Sequence, residues 1–281
     1  MKKNKIAFQG EQGAYSHIAC KALFKDSVIK ACPTFEETFR TAYDDENYKI
    51  IVPIENSLAG RIADIHYLLP KYKLQIYAEH FQIVEHNLLV KKNTDLKDIK
   101  YVRSHAQAID QCQKIIIKNK FKTIISADTA GSAKELSKSN DKSIAAIASK
   151  LSAKIYDLEI LEKNIEDDSG NVTRFLIMGK SVKQPEYEKS KKYITSCIFR
   201  VKSIYAALYK CLGGFATNQV NLTKLESFSV KNTFEQTNFY LDLEGHIEDP
   251  RVQKALEELS FHTQGLDILG IYEASLFRQK K

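Results

Sequence analysis

The sequence predicts an α/β protein followed by a smaller domain of different topology. Short strands and helices alternate through the first 180 residues, the pattern of a largely parallel sheet covered by helices. Ser181 to Lys192 is polar and lysine-rich with one proline, and reads as a linker. Beyond it the order becomes strand, helix, strand, strand, helix, strand over residues 193–275, a ferredoxin-like βαββαβ. A chain of 281 residues exceeds the usual single domain, which agrees with this division.

Lys5 to Gln9 reads as a first strand and Gly10-Glu11-Gln12-Gly13 as a tight turn. Ala14-Tyr15-Ser16 opens a helix running to about Lys25. A strand, a glycine turn and a helix start leave free N–H groups for an anion. With only Gly10 and Gly13 present, the Gly-x-Gly-x-x-Gly of a dinucleotide site is excluded. Phe35 to Ala42 is a helix with Thr34 as N-cap and Glu37 three residues on, a capping box. Tyr48 to Val52 is a short strand, stopped by Pro53 and the polar Glu55-Asn56-Ser57. Ile62 to Leu69 is helical, and Leu74 to Glu79 and Gln82 to Val90 are strands.

Asp98 to Val102 is a strand. Ser104 then N-caps a helix through Cys112 that carries Gln107 and Gln111 on one face. That face either converges on a ligand or is a solvated surface. Thr123 to Ser126 is a strand and Asp128 to Glu135 a capped helix. Ile144 to Ala148 is a strand or a helix start, and Lys150 to Ala153 continues helically. The acidic turn Glu166 to Gly170 leads into Asn171-Val172-Thr173-Arg174-Phe175 and the apolar Leu176-Ile177-Met178. This places a hydroxyl, a guanidinium and a ring at a strand entrance, a common setting for a site. The plain alternative is a strand start with Thr and Phe chosen for β-propensity. In the tail, strands cover Tyr193–Val201, Gln219–Val230, Thr237–Leu243 and Leu266–Glu273, with helices Ser203–Leu212 and Pro250–Ser260.

The 43% hydrophobic and 27% charged fractions are ordinary for a globular protein, and the +7 charge is scattered rather than blocked. No zinc spacing or RNA-binding run accompanies the charge, so no nucleic-acid partner is expected. Five dispersed cysteines without Cys-x-x-Cys indicate reduced thiols in a cytoplasm and no metal cage. His80 and His86 lack any metal spacing and read as surface or satisfied interior histidines. After Met1-Lys2-Lys3-Asn4-Lys5 the apolar Ile6-Ala7-Phe8 is too short for a signal peptide, and no apolar run reaches membrane-spanning length.

Four stretches occur in one order: Phe8-Gln9-Gly10-Glu11-Gln12-Gly13-Ala14-Tyr15-Ser16; Pro53-Ile54-Glu55-Asn56-Ser57 with Gly60; Ser104-His105-Ala106-Gln107-Ala108 through Gln111-Cys112; and Thr173-Arg174-Phe175. Together they resemble prephenate dehydratase. The tail, with Asn221-Leu222-Thr223-Lys224-Leu225-Glu226-Ser227, resembles that family's ACT regulatory domain. The resemblance implies a catalytic part at 1–180, similar to a type II periplasmic binding protein. Its first lobe would hold about 1–80 and 168–180, its second about 81–167. The linker is then 181–192 and the ACT domain 193–275. With the first motif at the start, a monofunctional enzyme without a fused chorismate mutase domain is expected.

The implied reaction is decarboxylative dehydration of prephenate to phenylpyruvate, in phenylalanine biosynthesis, with neither cofactor nor metal. Alternatives are an arogenate dehydratase and a non-catalytic small-ligand sensor. The family's essential threonine maps to Thr173, expected to hydrogen-bond the leaving oxygen. Glu55 is a proton-donor candidate only if burial raises its pKa. Arg174 suits a substrate carboxylate, or else a salt bridge to Glu166–Asp168. Phe175 is expected to pack a cleft wall. Asn56, Ser57, Ser104, Gln107 and Gln111 are orienting candidates, with Gly13, Ala14, Tyr15 and Ser16 at the helix start. Ala206-Ala207-Leu208, Asn221, Leu222, Glu226 and Ser227 would frame an effector site. The family pattern there is Gly-Ala-Leu and Glu-Ser-Arg-Pro. The extra methyl of Ala206 and the ring of Phe228 lead us to expect weak L-phenylalanine binding. An open tail sheet predicts a homodimer or homotetramer.

Overall fold

The computed structural model describes residues 5–229 and 237–279; Met1 to Asn4, and Val230 at the expected end of a tail strand, lie outside the described residues. The chain forms two compact units. One holds the residues up to Thr41, Asn47–Ile62 and Phe81–Phe175; the other holds Ala42–Glu46, Ala63–His80 and the chain from Leu176 onward.

The chain opens with β1 (Lys5–Gln9), α1 (Tyr15–Leu23), β2 (Val28–Cys32) and α2 (Phe35–Asp44), then β3 (Tyr48–Asn56) and β4 (Gly60–Arg61). Next come α3 (Ala63–Tyr72), β5 (Gln75–Ile83), β6 (Asn87–Val90), β7 (Tyr101–Ser104), α4 (Ala106–Asp110), α5 (Gln113–Asn119) and β8 (Lys122–Ile125). They are followed by α6 (Thr129–Lys138), β9 (Ile144–Ala148), α7 (Lys150–Ile155), β10 (Glu159–Glu162) and β11 (Val172–Gly179). The tail is β12 (Tyr193–Val201), α8 (Ala207–Thr217), β13 (Leu222–Ser229), β14 (Thr237–Glu244), α9 (Pro250–His262) and β15 (Thr263–Glu273).

In the first unit β1 lies between parallel β2 and β3, and the entrance of β11 borders β3. A second sheet has the order β10-β6-β9-β7-β8. Its alternating residues fill two cores. Leu88, Val90, Ala145 and Ile147 pack with Ile109, Cys112 and Ile116. Leu89, Ala146 and Ala148 pack with Ala133, Leu136 and Ala153. Both faces are covered, which is why β6 reads as an unbroken apolar run rather than an alternating one. In the second unit the order β13-β14-β12-β15 is joined by the first residues of β5, through Gly270 opposite Ile76. A Cβ on Gly270 would stand 2.0 Å from the Ile76 carbonyl oxygen, so only glycine permits that approach. All five cysteines are unpaired and buried. Among the described residues no helix is long and apolar enough to cross a membrane.

Several expected boundaries move. β3 runs through Pro53 to Asn56 instead of stopping at Val52. Its pairing with β1 ends at Ile51, so the proline's missing N–H interrupts no bond of that ladder. β5 is continuous through His80 and Phe81, and the break before β6 falls at Val84 to His86. Ser104 ends β7 rather than capping α4; the N-cap is His105, whose side chain accepts from Gln107 N. α8 starts at Ala207, after Ala206 in a left-handed conformation at φ 54°. Short β2, β4 and β10 carried no readable pattern.

Candidate active site

Within the first unit a cavity of about 230 Å³ is bordered by the β1–α1 turn, the β3–β4 hairpin, α4 and the β11 entrance. A larger cavity of about 870 Å³ lies in the second unit, and two of the cations at its wall are held by carboxylates. There Lys191 meets Glu188 at 2.7 Å and Arg251 meets Asp249 at 2.8 Å.

Strand alternation sorts the Thr-Arg-Phe stretch. Thr173 and Phe175 line the 230 Å³ cavity, and Arg174 between them does not. Residues i and i+2 share a face of a strand, and i+1 takes the other. The Arg174 side chain is only 2% exposed, and its Nη1 lies 3.0 Å from Glu55 Oε1. Its salt-bridge partner is therefore Glu55, not the Glu166–Asp168 run. Glu55 does not line the cavity either.

The cavity wall carries one continuous hydrogen-bond network. Asn56 Oδ1 accepts from the backbone N–H groups of Leu58 and Ala59 at 3.0 and 2.9 Å. Asn56 Nδ2 donates to Asn171 Oδ1 at 2.7 Å and to Thr173 Oγ1 at 2.9 Å. Asn171 Nδ2 donates to Gln111 Oε1 at 2.9 Å, and the same oxygen lies 3.0 Å from His86 Nε2. His86 Nδ1 is 3.0 Å from the Tyr15 hydroxyl, which donates to the Glu85 carbonyl at 2.7 Å. Thr173 Oγ1 thus accepts from Asn56, and its own proton remains for a ligand.

The helix start is held from below. Gly13 has φ +96°, and a Cβ there would stand 2.9 Å from Ser152 Cα. Its carbonyl accepts from the hydroxyls of Ser149 and Ser152 at 2.6 and 3.1 Å. Gly13 N–H donates to His17 Nδ1 at 3.0 Å, and the His17 ring stacks on Phe8. Ala14 caps α1 with no side-chain bond, so first-turn amides face the cavity beside Tyr15 and Ser16. Burial, then the neighbouring Lys21, lowers the His17 pKa. Burial also lowers that of His86, against opposing effects of Gln111 and Glu166. The Tyr15 phenol is pushed well above its usual value by burial and then by Glu166, so it stays neutral.

The structure therefore brings Ala14, Tyr15, Ser16, Asn56, Gln107, Gln111, Thr173 and Phe175 to one cavity. It sends Gly13, Glu55, Ser57, Ser104 and Arg174 elsewhere. The Ser57 hydroxyl accepts from Val172 N–H and ties β3 to β11. The Ser104 hydroxyl is buried and donates to the Ile147 carbonyl. Sequence reasoning missed Asn171, Arg61 and His105 at the cavity, and set His86 aside. Asn171 was legible as the i−2 neighbour of Thr173. In the tail, Ala207 is buried. Asn221 donates to Glu244, and Glu226 pairs with the buried Lys224. Phe228 packs inside its own unit against His66 and Tyr67, rather than standing free to fill a ligand's place.

Residues 6–183 match the family model described as prephenate dehydratase. The chain is 41% identical over 278 residues to the bifunctional N-acyl-homoserine lactone acylase/prephenate dehydratase of Komagataeibacter europaeus, spanning 98% of each. It is 36% identical over 290 residues to arogenate dehydratase/prephenate dehydratase 1, chloroplastic, of Arabidopsis thaliana, spanning 98% of this chain and 74% of that protein. The crystal structure of prephenate dehydratase from Arthrobacter aurescens in complex with L-Phe is similar over 96% of this chain and 90% of that one. Its TM-score is 0.87 at 26% identity. On these grounds the chain belongs to the prephenate dehydratase family.

Proposed function

We propose that this chain converts prephenate to phenylpyruvate, with Thr173 at the centre of the reaction. The observation that carries the assignment is the Asn56–Thr173 hydrogen bond at 2.9 Å. Asn56 is oriented by two backbone N–H groups, so it donates to Thr173 and leaves the threonine proton pointing to a ligand. In the reaction the ring carboxylate leaves as CO2. The electrons of that C–C bond aromatise the ring, and the C–O bond breaks at the other end. Thr173 hydrogen-bonds the departing oxygen, which takes up a proton from solvent and leaves as water. A preorganised donor at the point of developing charge is commonly the largest catalytic contribution. The uncapped amides of α1 and the Arg61 guanidinium supply positive potential for the substrate carboxylates. Phe175 gives an apolar wall.

The lobes and tail are read as expected from the sequence: a catalytic part at 1–180 in two lobes and an ACT domain at 193–275. The observed βαββαβ order supports the latter. That domain assembles a homodimer or homotetramer and binds L-phenylalanine weakly. Arogenate, the aminated counterpart, is the second reading, favoured by the name of the Arabidopsis relative. Amide hydrolysis, named for the Komagataeibacter relative, lacks support at Thr173. Among the described residues no base accepts its proton, which a nucleophilic threonine requires. Incubating the pure protein with prephenate and with arogenate, and assaying phenylpyruvate and phenylalanine, decides the substrate. Turnover of neither overturns the proposal.

A further inference from the structure

We propose that His86 is a positioning residue of this site, entering the cavity network as an Nε2–H donor that fixes the Gln111 amide. The chain of contacts starts at a backbone anchor. Backbone N–H groups only donate, so the Asn56 atom that receives Leu58 and Ala59 is its oxygen. The other end of Asn56 is therefore nitrogen, and the Asn171 atom facing it at 2.7 Å is oxygen. Asn171 then presents nitrogen to Gln111, and the Gln111 atom at 2.9 Å is oxygen. That oxygen also lies 3.0 Å from His86 Nε2. Two acceptors do not bond, so Nε2 carries a proton. Each amide alone has two nearly equivalent orientations; the chain of contacts removes the choice at all of them.

Two consequences follow. The neutral ring keeps Nδ1 as its acceptor, and the Tyr15 hydroxyl, 3.0 Å from it, shares its one proton between that nitrogen and the Glu85 carbonyl at 2.7 Å. His86 thus joins Tyr15 at the start of α1 to Gln111 at the end of α4, and both line the cavity. The Gln111 oxygen is held by two donors, which leaves its amide nitrogen aimed rather than swinging. The main chain of His86 is itself fixed, its N–H to Glu166 Oε2 at 2.8 Å and its carbonyl to Ile165 N–H at 2.9 Å. At 2% exposure, burial disfavours the imidazolium and agrees with a neutral ring.

The kinetic part rests on the reading of Thr173 as the centre of a dehydratase; the tautomer does not, which keeps the two separable. Ring nitrogen NMR on histidine-labelled protein, with the His86 signal assigned by its loss in His86→Gln, is expected to show the Nε2–H tautomer. A proton on Nδ1 alone overturns the inference whatever the enzyme's activity. Kinetically, His86→Gln places an amide N–H near the Nε2 position and is expected to keep kcat within roughly fivefold. His86→Asn reaches only the Nδ1 position, and His86→Leu neither. Both should lose about ten- to a hundredfold in kcat, the scale of weakening one buried hydrogen-bonded group. Added to Gln111→Ala, His86→Leu should cost little more, because its effect passes through that amide. Asn rescuing as well as Gln, Gln falling as low as Leu, or full additivity with Gln111→Ala each overturns the proposal.

Discussion

Arg174 Nη1 and Glu55 Oε1 meet at 3.0 Å, with the guanidinium only 2% exposed and the carboxylate 33% exposed. One member of the Thr-Arg-Phe motif thus builds the wall behind the site. Breaking a fully buried pair costs about 3–5 kcal/mol, and less is expected here because Glu55 is partly solvated. Arg174→Met is expected to lower Tm. A double-mutant cycle with Glu55→Gln should show a coupling of about 1–3 kcal/mol. An unchanged Tm with a selectively raised KM would restore Arg174 as a carboxylate ligand.

Gly13 stands two residues before Tyr15, at the turn into α1. Gly13→Ala places a methyl against Ser152 at a positive φ. A cost of about 1–3 kcal/mol is expected from the strained backbone, with kcat/KM reduced as the α1 amides shift. Chemical denaturation and steady-state kinetics check this. Wild-type values in both would show that the turn absorbs the methyl.

His17 gives the stability a pH dependence of known sign. Its Nδ1 accepts from Gly13, and its pKa is lowered in the folded state. The unfolded histidine protonates near its ordinary pKa of about 6.5. Its contribution is therefore complete above that value and lost as pH falls from there toward the folded pKa. Wild type should lose more Tm between about pH 7.5 and about pH 5.5 than His17→Asn, which keeps an acceptor but does not titrate. Parallel curves would contradict this.

The tail carries a testable departure. Ala206 occupies a left-handed conformation at φ 54°, where a glycine is relieved of about 1 kcal/mol. Ala206→Gly should raise Tm slightly. Calorimetry should find weak L-phenylalanine binding to wild type and tighter binding to that variant, since one methyl is a small obstacle. Micromolar binding with strong inhibition of the wild type would refute the reading.

The fold was legible where pattern and period agree. The alternation of elements and the βαββαβ order of the tail are those observed. Short β2, β4 and β10 escaped because two to five residues hold too little period. Pro53 misled because its effect depends on whether a neighbouring strand pairs there, a tertiary fact. At the site, Thr173, Asn56, Gln107 and Gln111 were named from the motifs that carry the family resemblance, and all four line the cavity. Arg174 was misplaced although the alternation of β11 already put it opposite Thr173 and Phe175. His86 and Asn171 act through partners far away in sequence, His86 with Tyr15 and Gln111, Asn171 with Asn56 and Gln111. No local pattern signals the contacts of His86, and Asn171 was marked only by its place two residues before Thr173.

The most direct test of the central claim is the turnover of prephenate by Thr173→Ala and Thr173→Ser beside wild type, with folding confirmed by circular dichroism. The account predicts a loss of roughly a hundredfold or more in kcat for the alanine, the scale of removing one preorganised donor. It predicts partial activity for the serine, which keeps the hydroxyl. A folded Thr173→Ala enzyme turning over prephenate near the wild-type rate would contradict it.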